Sequence, residues 1–290
     1  MTKISDTEYE KAITETAEVV EPKNQQLQPT ESDILQFFGG SKTGKYTRFV
    51  LAALSSLPWV SVLSAVASFK AEGNQDKVNQ IIGLWLQEHR EKMIELGATI
   101  DEILTRLDGF DQEIQDRIES PEYLALVRKA FRSWDESDTK EKREMIKKLL
   151  INAGGTKLCP DDLVRLFIDW IDKYHEAHFS VIGEIYRNPG ITRGQIWDNT
   201  HDSRPREDSP DADLFRYLIS DLNLGRVIRI EREVNYSGEF VRKSTRGQHK
   251  GTPSSTLESA FEDTKPYELS GLGSQFVHYV MTDLVPRIGE

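Results

Sequence analysis

The feature that most constrains the fold of this chain is the stretch from Phe49 to Phe69, which holds 21 consecutive residues without an ionisable side chain. A helix of about 20 apolar residues spans the hydrocarbon core of a bilayer. Basic side chains flank the stretch on both sides, at Lys45, Arg48 and Lys70, as they commonly flank a membrane span. By length and flanks, the stretch therefore qualifies as a membrane segment.

The same stretch also suits the interior of a soluble protein. It contains five serines and has Pro58 near its middle, and its small residues recur four positions apart, which lets helices approach closely in lipid or in a soluble bundle. Proline kinks or starts a helix because it lacks an amide hydrogen. Two interpretations stay open: a buried core helix kinked or started at Pro58, and a membrane segment marked by Phe49, Leu54, Pro58, Trp59, Leu63 and Phe69.

Composition indicates an ordinary globular chain. Its 290 residues are 38% hydrophobic, enough for two domains with cores. The net charge is -11 and no segment is basic overall, so a general nucleic-acid binder is disfavoured. Cys159 is the only cysteine, which fits a reducing compartment, and the acidic start MTKISDTEYEKAITE lacks the apolar core of a secretory signal. We expect a cytoplasmic protein, with peripheral or inducible inner-membrane association left open by the apolar stretch.

The chain divides by composition into three parts. Residues 1–44 are polar and acidic, which predicts a flexible leader because too little apolar surface is present to offset the entropy of ordering. Residues 45–158 predict an antiparallel helical bundle that includes the apolar helix 49–69. Residues 159–290 predict a connecting helix and a winged-helix domain. The expected fold class is therefore mainly α, a helical bundle followed by an α+β winged-helix domain.

Four amphipathic patterns follow the apolar stretch. Apolar residues at helical spacing mark the first two, over 78–96 and 100–118. The third begins at Ser120-Pro121, since a serine hydroxyl accepts from the free amides of a first turn and proline fits the first helical position. The fourth follows Thr139 and stops at Gly154-Gly155. Short loops between these patterns predict antiparallel neighbours.

The helical patterns of this region resemble those of a known group of bacterial proteins. An uncharged helix, a long amphipathic pair and the segment SPEYLALVRKAFRSWDESDTKEKREMIKKLLINA look like an arrangement that recurs in bacterial proteins, loosely similar to the Bell or HeLo-like helical bundles of conflict systems. The resemblance covers residues 46–155. Its most specific part is Ser120-Pro121-Glu122, followed by Lys142-Arg143, Leu149-Leu150 and Asn152-Ala153. It implies a bundle that attacks or perforates membranes when triggered, in antiphage or cell-suicide defence.

The C-terminal region combines helices with a β pattern. One apolar phase runs from Leu163 to Ile185, which predicts a single long connecting helix. The segment ITRGQIW predicts a short helix, and SPDADLFRYLISDLNLG predicts a capped helix that buries Leu214, Leu218 and Leu222. RVIRIEREV and GEFVRKST then alternate as the strands of a hairpin. This order is that of a winged helix, and YELSGLGSQFVHYVMTDL resembles its closing strand, turn and helix. Residues 199–210 and 247–265 are interpreted as loop insertions.

A phosphate-binding loop is suggested by Gly39, Gly44 and Lys45, which match G-x-x-x-x-G-K. However, Tyr46 stands where such a loop needs a magnesium-binding serine or threonine, and no buried strand precedes the glycines. A glycine- and lysine-rich hinge explains the same residues. We therefore expect no nucleotide cofactor.

Metal binding and nucleophilic catalysis have equally little support. Asp172, His175 and His178 recur three apart, but this spacing drifts around a helix and no fourth ligand is evident. Cys159 precedes Pro160 without a catalytic partner nearby, and no G-x-S-x-G motif is present. We expect no enzyme activity and no bound metal.

The predicted hairpin carries a local excess of basic residues in an acidic domain. Against three glutamates, the hairpin region has seven basic side chains: Arg226, Arg229, Arg232, Arg242, Lys243, Arg246 and Lys250. The helix before it offers Asp211, Asp213 and Asp221 with only Arg216, and carboxylates repel phosphates. A solvated hairpin, a wing that touches nucleic acid and a protein-docking surface all remain open.

The sequence thus favours a non-enzymatic two-domain effector or sensor. Its membrane-competent bundle would be controlled by a winged-helix module that binds a protein partner or a second copy. The alternative is a soluble winged-helix DNA-binding regulator whose bundle dimerises.

Overall fold

The structure is a computed structural model that describes residues 45–59, 75–109, 112–155, 159–231, 236–237 and 258–282, with the backbone alone for 75–89. The described part is mainly helical, with one small two-stranded sheet. It forms two compact units, which divide between Asp172 and Lys173, whereas the sequence prediction divided the chain at 158/159. The predicted leader 1–44 lies outside the described residues.

The first unit contains six described helices. They are α1 (Thr47–Ser55), α2 (Gln75–Asp108), α3 (Gln112–Ile118), α4 (Pro121–Glu136), α5 (Lys140–Gly155) and α6 (Asp161–Lys173). Helix α4 packs against α1 and α5, and α5 packs against α2. Phe49, Tyr123, Phe131 and Trp134 are among the fully buried side chains of its core. The predicted helical bundle is confirmed at this level.

The apolar stretch does not form one continuous helix. Helix α1 ends at Ser55, and helical backbone resumes at Pro58. The turn is closed by hydrogen bonds from the amides of Ser56 and Leu57 to carbonyls three residues earlier. Proline explains the break because it disfavours helical backbone at the residue before it. Residues 60–69, and so the second half of the stretch, lie outside the described residues.

The two patterns predicted over 78–118 do not correspond to two helices of similar length. Helix α2 runs unbroken for 34 residues through Gly97, and only the short α3 follows it. A glycine inside a helix costs about 1 kcal/mol. The buried apolar face on either side of Gly97 offsets this cost, since Met93, Leu96, Ile100, Ile103, Leu104 and Leu107 are all buried.

The predicted start of α4 and end of α5 are confirmed. The amide of Tyr123 donates to Ser120 Oγ at 3.3 Å, and Pro121 occupies the first helical position. Helix α5 ends at Gly155. Close packing also requires a glycine at position 154, because a Cβ there would lie 2.7 Å from the hydroxyl of Tyr123.

The single connecting helix predicted from Leu163 to Ile185 is wrong. Helix α6 ends at Lys173, and α7 begins at Glu176 and runs to Arg187. Two hydrogen bonds fix the break: the amide of His175 donates to Nδ1 of His178 at 3.1 Å, and the amide of His178 donates to the carbonyl of His175 at 2.9 Å. His175 therefore caps a new helix rather than continuing the old one.

The second unit continues with α8 (Arg193–Thr200), α9 (Pro210–Leu224), β1 (Ile228–Ile230), β2 (Tyr267–Leu269) and α10 (Gly271–Phe276), which passes into a π-helical turn over Val277–Met281. Thr192 and Ser209 cap α8 and α9. Strands β1 and β2 are antiparallel, with Ile228 opposite Leu269, and Ile191 bridges to Tyr267 on the other side of β2. The strand, turn and helix predicted near the C-terminus are thus observed.

One prediction for the second unit needs correction, and another falls on residues that the structure does not describe. Strand β1 pairs with β2, and the predicted second strand of the hairpin, 238–245, lies outside the described residues. Leu214 is 56% exposed, although Leu218 and Leu222 are buried as expected. Phe215 lies on the inner face of α9 instead. Its ring packs edge-on against Trp197, with the two ring centroids 5.3 Å apart.

The end of α9 is unusual. Gly225 has an ordinary negative φ of -69°, and Arg226 has the left-handed φ of 61°. The amides of Arg226 and Val227 donate to the carbonyls of Asn223 and Leu222, the pattern of a Schellman motif, whose left-handed residue is usually glycine. Gly225 serves a different need, since a Cβ there would lie 2.1 Å from the hydroxyl of Tyr174.

We predict that Gly225→Ala lowers the free energy of unfolding of the second unit by about 1–3 kcal/mol, because the added methyl group overlaps Tyr174. Equilibrium urea denaturation followed by circular dichroism measures this loss. Gly271→Ala is the matched control, since a Cβ at 271 meets no atom within 4 Å. Equal stability of the two variants would contradict the close contact.

Candidate functional site

Three of the four described residues that were predicted to mark a membrane segment lie inside the bundle. Phe49 is fully buried, with its ring centroid 6.4 Å from that of Tyr123 and 6.3 Å from that of Phe131. Leu54 and Trp59 are also buried, whereas Pro58 is exposed. Leu63 and Phe69 lie outside the described residues. Within the described ranges, no helix has the length and apolar character that crossing a bilayer requires.

Asp135, a residue that the sequence did not single out, anchors this stretch. Its Oδ1 accepts from Nε1 of Trp59 at 2.6 Å and lies 2.6 Å from Nζ of Lys92. The carboxylate is only 11% exposed. A hydrogen bond to a partly buried charged group contributes more than a neutral one on the surface. The anchor therefore ties the start of the second helical segment to α4.

We predict that Asp135→Ala lowers the free energy of unfolding by about 1–3 kcal/mol, because the indole N–H of Trp59 and the Lys92 ammonium lose a partly buried acceptor. Chemical denaturation followed by tryptophan fluorescence measures the change. Glu136→Ala, which removes an exposed carboxylate from the same helix, should change stability by less than about 0.5 kcal/mol. Similar losses in both variants would show that Asp135 has no special anchoring role.

Lys45, the last residue of the G-x-x-x-x-G-K match, has a structural partner. Its Nζ lies 2.5 Å from Oδ1 of Asp108, and the hydroxyl of Tyr46 donates to the same oxygen at 2.7 Å. The hydrogen bond to Asp108 raises the pKa of Lys45. These contacts join the start of α1 to the end of α2, so they explain Lys45 without a phosphate. Gly39 and Gly44 lie outside the described residues.

Asp172, His175 and His178 do not form a shared site. Asp172 accepts a hydrogen bond from the hydroxyl of Ser133 in the first unit, while His175 and His178 belong to the second. Among the described residues, no group of three or more histidine, cysteine or acidic side chains is arranged to hold a metal ion. Cys159 is buried, and burial raises the pKa of its thiol to about 11. A thiol with that pKa is a poor nucleophile near neutral pH.

His178 instead occupies a buried polar junction of the second unit. Its Nδ1 accepts from the amide of His175, and its Nε2 lies 3.5 Å from Oδ2 of Asp221. Lys173 donates to the other oxygen of Asp221 at 2.7 Å, and the ring of Tyr174 lies 5.0 Å from the imidazole. Burial, with the nearby His175 and Lys173, lowers the pKa of His178 despite the opposing effect of Asp221. The junction therefore favours a neutral imidazole.

We predict that the second unit loses stability as the pH falls below about 6.5, the ordinary pKa of histidine. Because the folded pKa of His178 is depressed, the unfolded chain binds a proton first, so stability is highest above that pH and declines toward the folded pKa. Thermal unfolding at a series of pH values measures the slope. His178→Gln should flatten this slope of stability against pH, whereas His201→Gln, the control at an exposed site, should leave the slope unchanged. An unchanged slope in His178→Gln would contradict this assignment.

Only two of the seven predicted wing contacts are described. Arg229 is held across the sheet by Glu268, with its Nε 2.7 Å from the carboxylate. Arg226 is exposed and follows α9 in the left-handed conformation. Arg232, Arg242, Lys243, Arg246 and Lys250 lie outside the described residues.

The outer face of α9 exposes several large apolar side chains. Leu214, Tyr217 and Leu224 are 56%, 58% and 81% exposed. Their spacing of three and seven residues places them on one side of the helix. Arg216, the only basic residue of α9, is engaged by Glu207 and by Asp213, so its guanidinium is already neutralised. We call Leu214, Tyr217 and Leu224 the outer strip.

The loop before α9 is held in place by ionic contacts. Arg204 pairs with Asp198 and Asp263, and Glu207 accepts from the hydroxyl of Ser259 and the amide of Ala260. The sequence indicated only a charged loop insertion here. These contacts fix the N-terminal end of α9 and thereby the direction of the outer strip.

Comparison with known proteins assigns the chain to no family. No protein-family model, curated protein or solved structure matches it. Function therefore has to be inferred from the chemistry of the surfaces described above.

Proposed function

We propose that this protein is a non-enzymatic interaction protein, in which a helical bundle carries a winged-helix domain that docks a protein through the outer strip of α9. The observation that carries the proposal is the exposure of Leu214, Tyr217 and Leu224 on one side of a helix. Exposed apolar residues grouped on one face are typical of interaction sites. Tyrosine and leucine supply contact area of the kind buried at protein interfaces.

The order of elements supports the winged-helix assignment. Helix α7 is followed by the bridging residue Ile191, then α8, α9, β1 and β2. Tyr267 of β2 pairs with Ile191 on one side and with Ile230 on the other, so β2 lies centrally. A helix, a short strand, two helices and a strand pair are the sequence of elements in a winged helix. In this assignment, α9 occupies the position of the helix that reads DNA in helix-turn-helix proteins.

The charges of α9 favour a protein over a nucleic acid as its partner. Phosphate contacts need available cations, yet Arg216 is neutralised by Glu207 and Asp213. Asp211, near the start of the helix, is exposed and would repel phosphates. In the strand pair, Arg229 is committed to Glu268. A duplex would thus meet apolar and acidic side chains where base-reading groups are needed.

The packing of the first unit favours a scaffold role for the bundle. Membrane attack, which the resemblance implies, would require Phe49 to leave an aromatic core and Trp59 to give up its bond to Asp135. Both groups have specific partners where they are, and these contacts would have to break before either group could enter a bilayer. The bundle is accordingly proposed to support the docking domain.

We predict that the full chain shows no sequence-dependent binding to duplex DNA in fluorescence anisotropy at low salt. A photoreactive p-benzoylphenylalanine at Tyr217 should instead form a covalent protein adduct in the producing cells, and the same group at the exposed loop residue Asp202 should not. Leu214→Arg should reduce the adduct at least about tenfold, because a charge in an apolar contact is poorly solvated. Salt-dependent DNA binding that Arg216→Ala abolishes would contradict the proposal and favour the DNA-binding regulator.

A further inference from the structure

The break between α6 and α7 is held by side chains and not by a helix-breaking residue. Tyr174 and His175, which separate the two helices, are neither proline nor glycine. We infer that this break is a proton-operated switch, in which protonation of His178 releases the cap of α7 and lets α6 and α7 continue as one helix. The break lies where the chain passes from the first unit to the second, and the inference does not depend on the docking function proposed for α9.

The sequence favours an unbroken helix across this break. Apolar residues recur at intervals of three and four from α6 into α7, at Leu163, Phe167, Trp170, Tyr174, Ala177, Val181 and Ile185. Such spacing places them on one face of a single helix. A continuous helix would also pair the carbonyls at the end of α6 with the amides at the start of α7, which lack intrahelical partners at separate helix ends. The broken form therefore depends on contacts that outweigh these gains.

Three contacts stabilise the broken form. The amide of His175 donates to Nδ1 of His178 at 3.1 Å. The side chain of Lys173 donates to Asp221 of α9 at 2.7 Å. The fully buried ring of Tyr174 lies with its centroid 5.0 Å from that of the imidazole. Of the three, the bond to Nδ1 is the one that a proton abolishes, because histidine titrates near neutral pH.

The position of the proton decides between the two forms. A neutral imidazole has one N–H group and one acceptor nitrogen. Because Nδ1 of His178 accepts from the amide of His175, the hydrogen lies on Nε2, which is buried 3.5 Å from a carboxylate oxygen of Asp221. A second proton must therefore bind to Nδ1, where it points at the amide hydrogen. Two donors then face each other, and the hydrogen bond that caps α7 is lost.

The charge of a protonated His178 also opposes the broken form. His178 lies in the first turn of α7, and a cation near a helix N-terminus is repelled by the helix dipole. The titratable and charged groups around the ring are Lys173, Tyr174 and His175 before α7, and Tyr217 and Asp221 on α9. Asp221 favours the imidazolium, but burial, His175 and Lys173 together lower the pKa of His178. In a continuous helix both the helix end and the opposing amide are removed, so proton binding favours that form.

Linkage gives the direction and the steepness of the switch. The continuous form binds the proton more tightly than the broken form. The ratio of continuous to broken chains therefore rises as the pH falls below about 6.5, the ordinary pKa of histidine. Uptake of one proton limits this rise to about tenfold per pH unit.

Nuclear magnetic resonance of the full chain tests the inference, because the Cα chemical shift of a residue reports whether its backbone is helical. Lowering the pH from about 7.5 to about 5.5 should move the Cα shifts of Tyr174 and His175 toward helical values. Ile168 and Ile182, which lie inside α6 and α7, should keep their helical shifts and so show that neither helix unfolds.

Two substitutions of His178 separate the acceptor from the proton. His178→Gln keeps an acceptor for the amide of His175, since glutamine at this position completes a capping box, but it takes up no proton. Tyr174 and His175 should then stay non-helical at both pH values. His178→Ala removes the acceptor, so both residues should be helical already at the higher pH. His201→Gln, at an exposed site, should switch as the wild type does.

Glu176→Pro holds the broken form without altering the imidazole. Proline suits the first position of α7, and His175 before it already has the extended backbone, with φ -90° and ψ 167°, that a residue before proline prefers. Inside a continuous helix the same proline would clash with the preceding turn, which disfavours that form at least about hundredfold. This variant should show no helical shift at Tyr174 on acidification, whereas Glu176→Ala should switch.

The outcomes decide for or against the switch. Wild-type shifts of Tyr174 and His175 that stay non-helical down to the pH at which the chain unfolds overturn it and leave His178 with an effect on stability alone. A helical shift that persists in His178→Gln or in Glu176→Pro overturns it as well. These comparisons hold even if His178→Ala does not fold, because they use only variants that keep a cap for α7.

Discussion

The second unit depends on the reciprocal hydrogen bonds between His175 and His178. They end the helical run at Lys173, since the amide of His175 is satisfied by an imidazole nitrogen instead of a carbonyl four residues earlier. The new direction of the chain buries Tyr174, whose hydroxyl then approaches Gly225 so closely that no side chain fits there. Lys173 and His178 both face Asp221 of α9. The junction thereby fixes the start of α7 against the end of α9, and with it the side of α9 that faces outward.

Features encoded within a few residues were predictable from the sequence. Ser120-Pro121 and Ser209-Pro210 begin helices because a hydroxyl acceptor and an N–H-free residue suit the first turn wherever they occur. The break at His175 was not predictable in this way. The apolar phase continues across it, and a pair of histidines three apart is no standard capping signal. Likewise, the pairing of β1 with β2 joins strands about 40 residues apart, and local alternation carries no information about partners at that distance.

The apolar stretch shows what hydropathy alone leaves undecided. A run free of charges records only that its environment is apolar, and a bundle core meets that condition as well as a bilayer does. What distinguishes the two is a specific polar contact. The hydrogen bond from Trp59 to Asp135 joins residues 76 positions apart, so no pattern within the stretch could reveal it. In the sequence, nothing distinguishes Asp135 from an ordinary acidic residue on the surface of α4.

The candidate site on α9 was missed for a related reason. Helical spacing assigned Leu214 to the core because the residue is apolar and four positions before Leu218. In the structure, Phe215 takes the inward position beside Trp197, which rotates Leu214 to the outside with Tyr217. At the end of the same helix, the close contact with Tyr174 requires a glycine at position 225, and the left-handed conformation is adopted by Arg226. An exposed leucine at the front of the strip and a strained arginine behind it are thus linked consequences of how α9 packs. The way α9 packs thus leaves it with the exposed apolar face on which its docking function is proposed to rest.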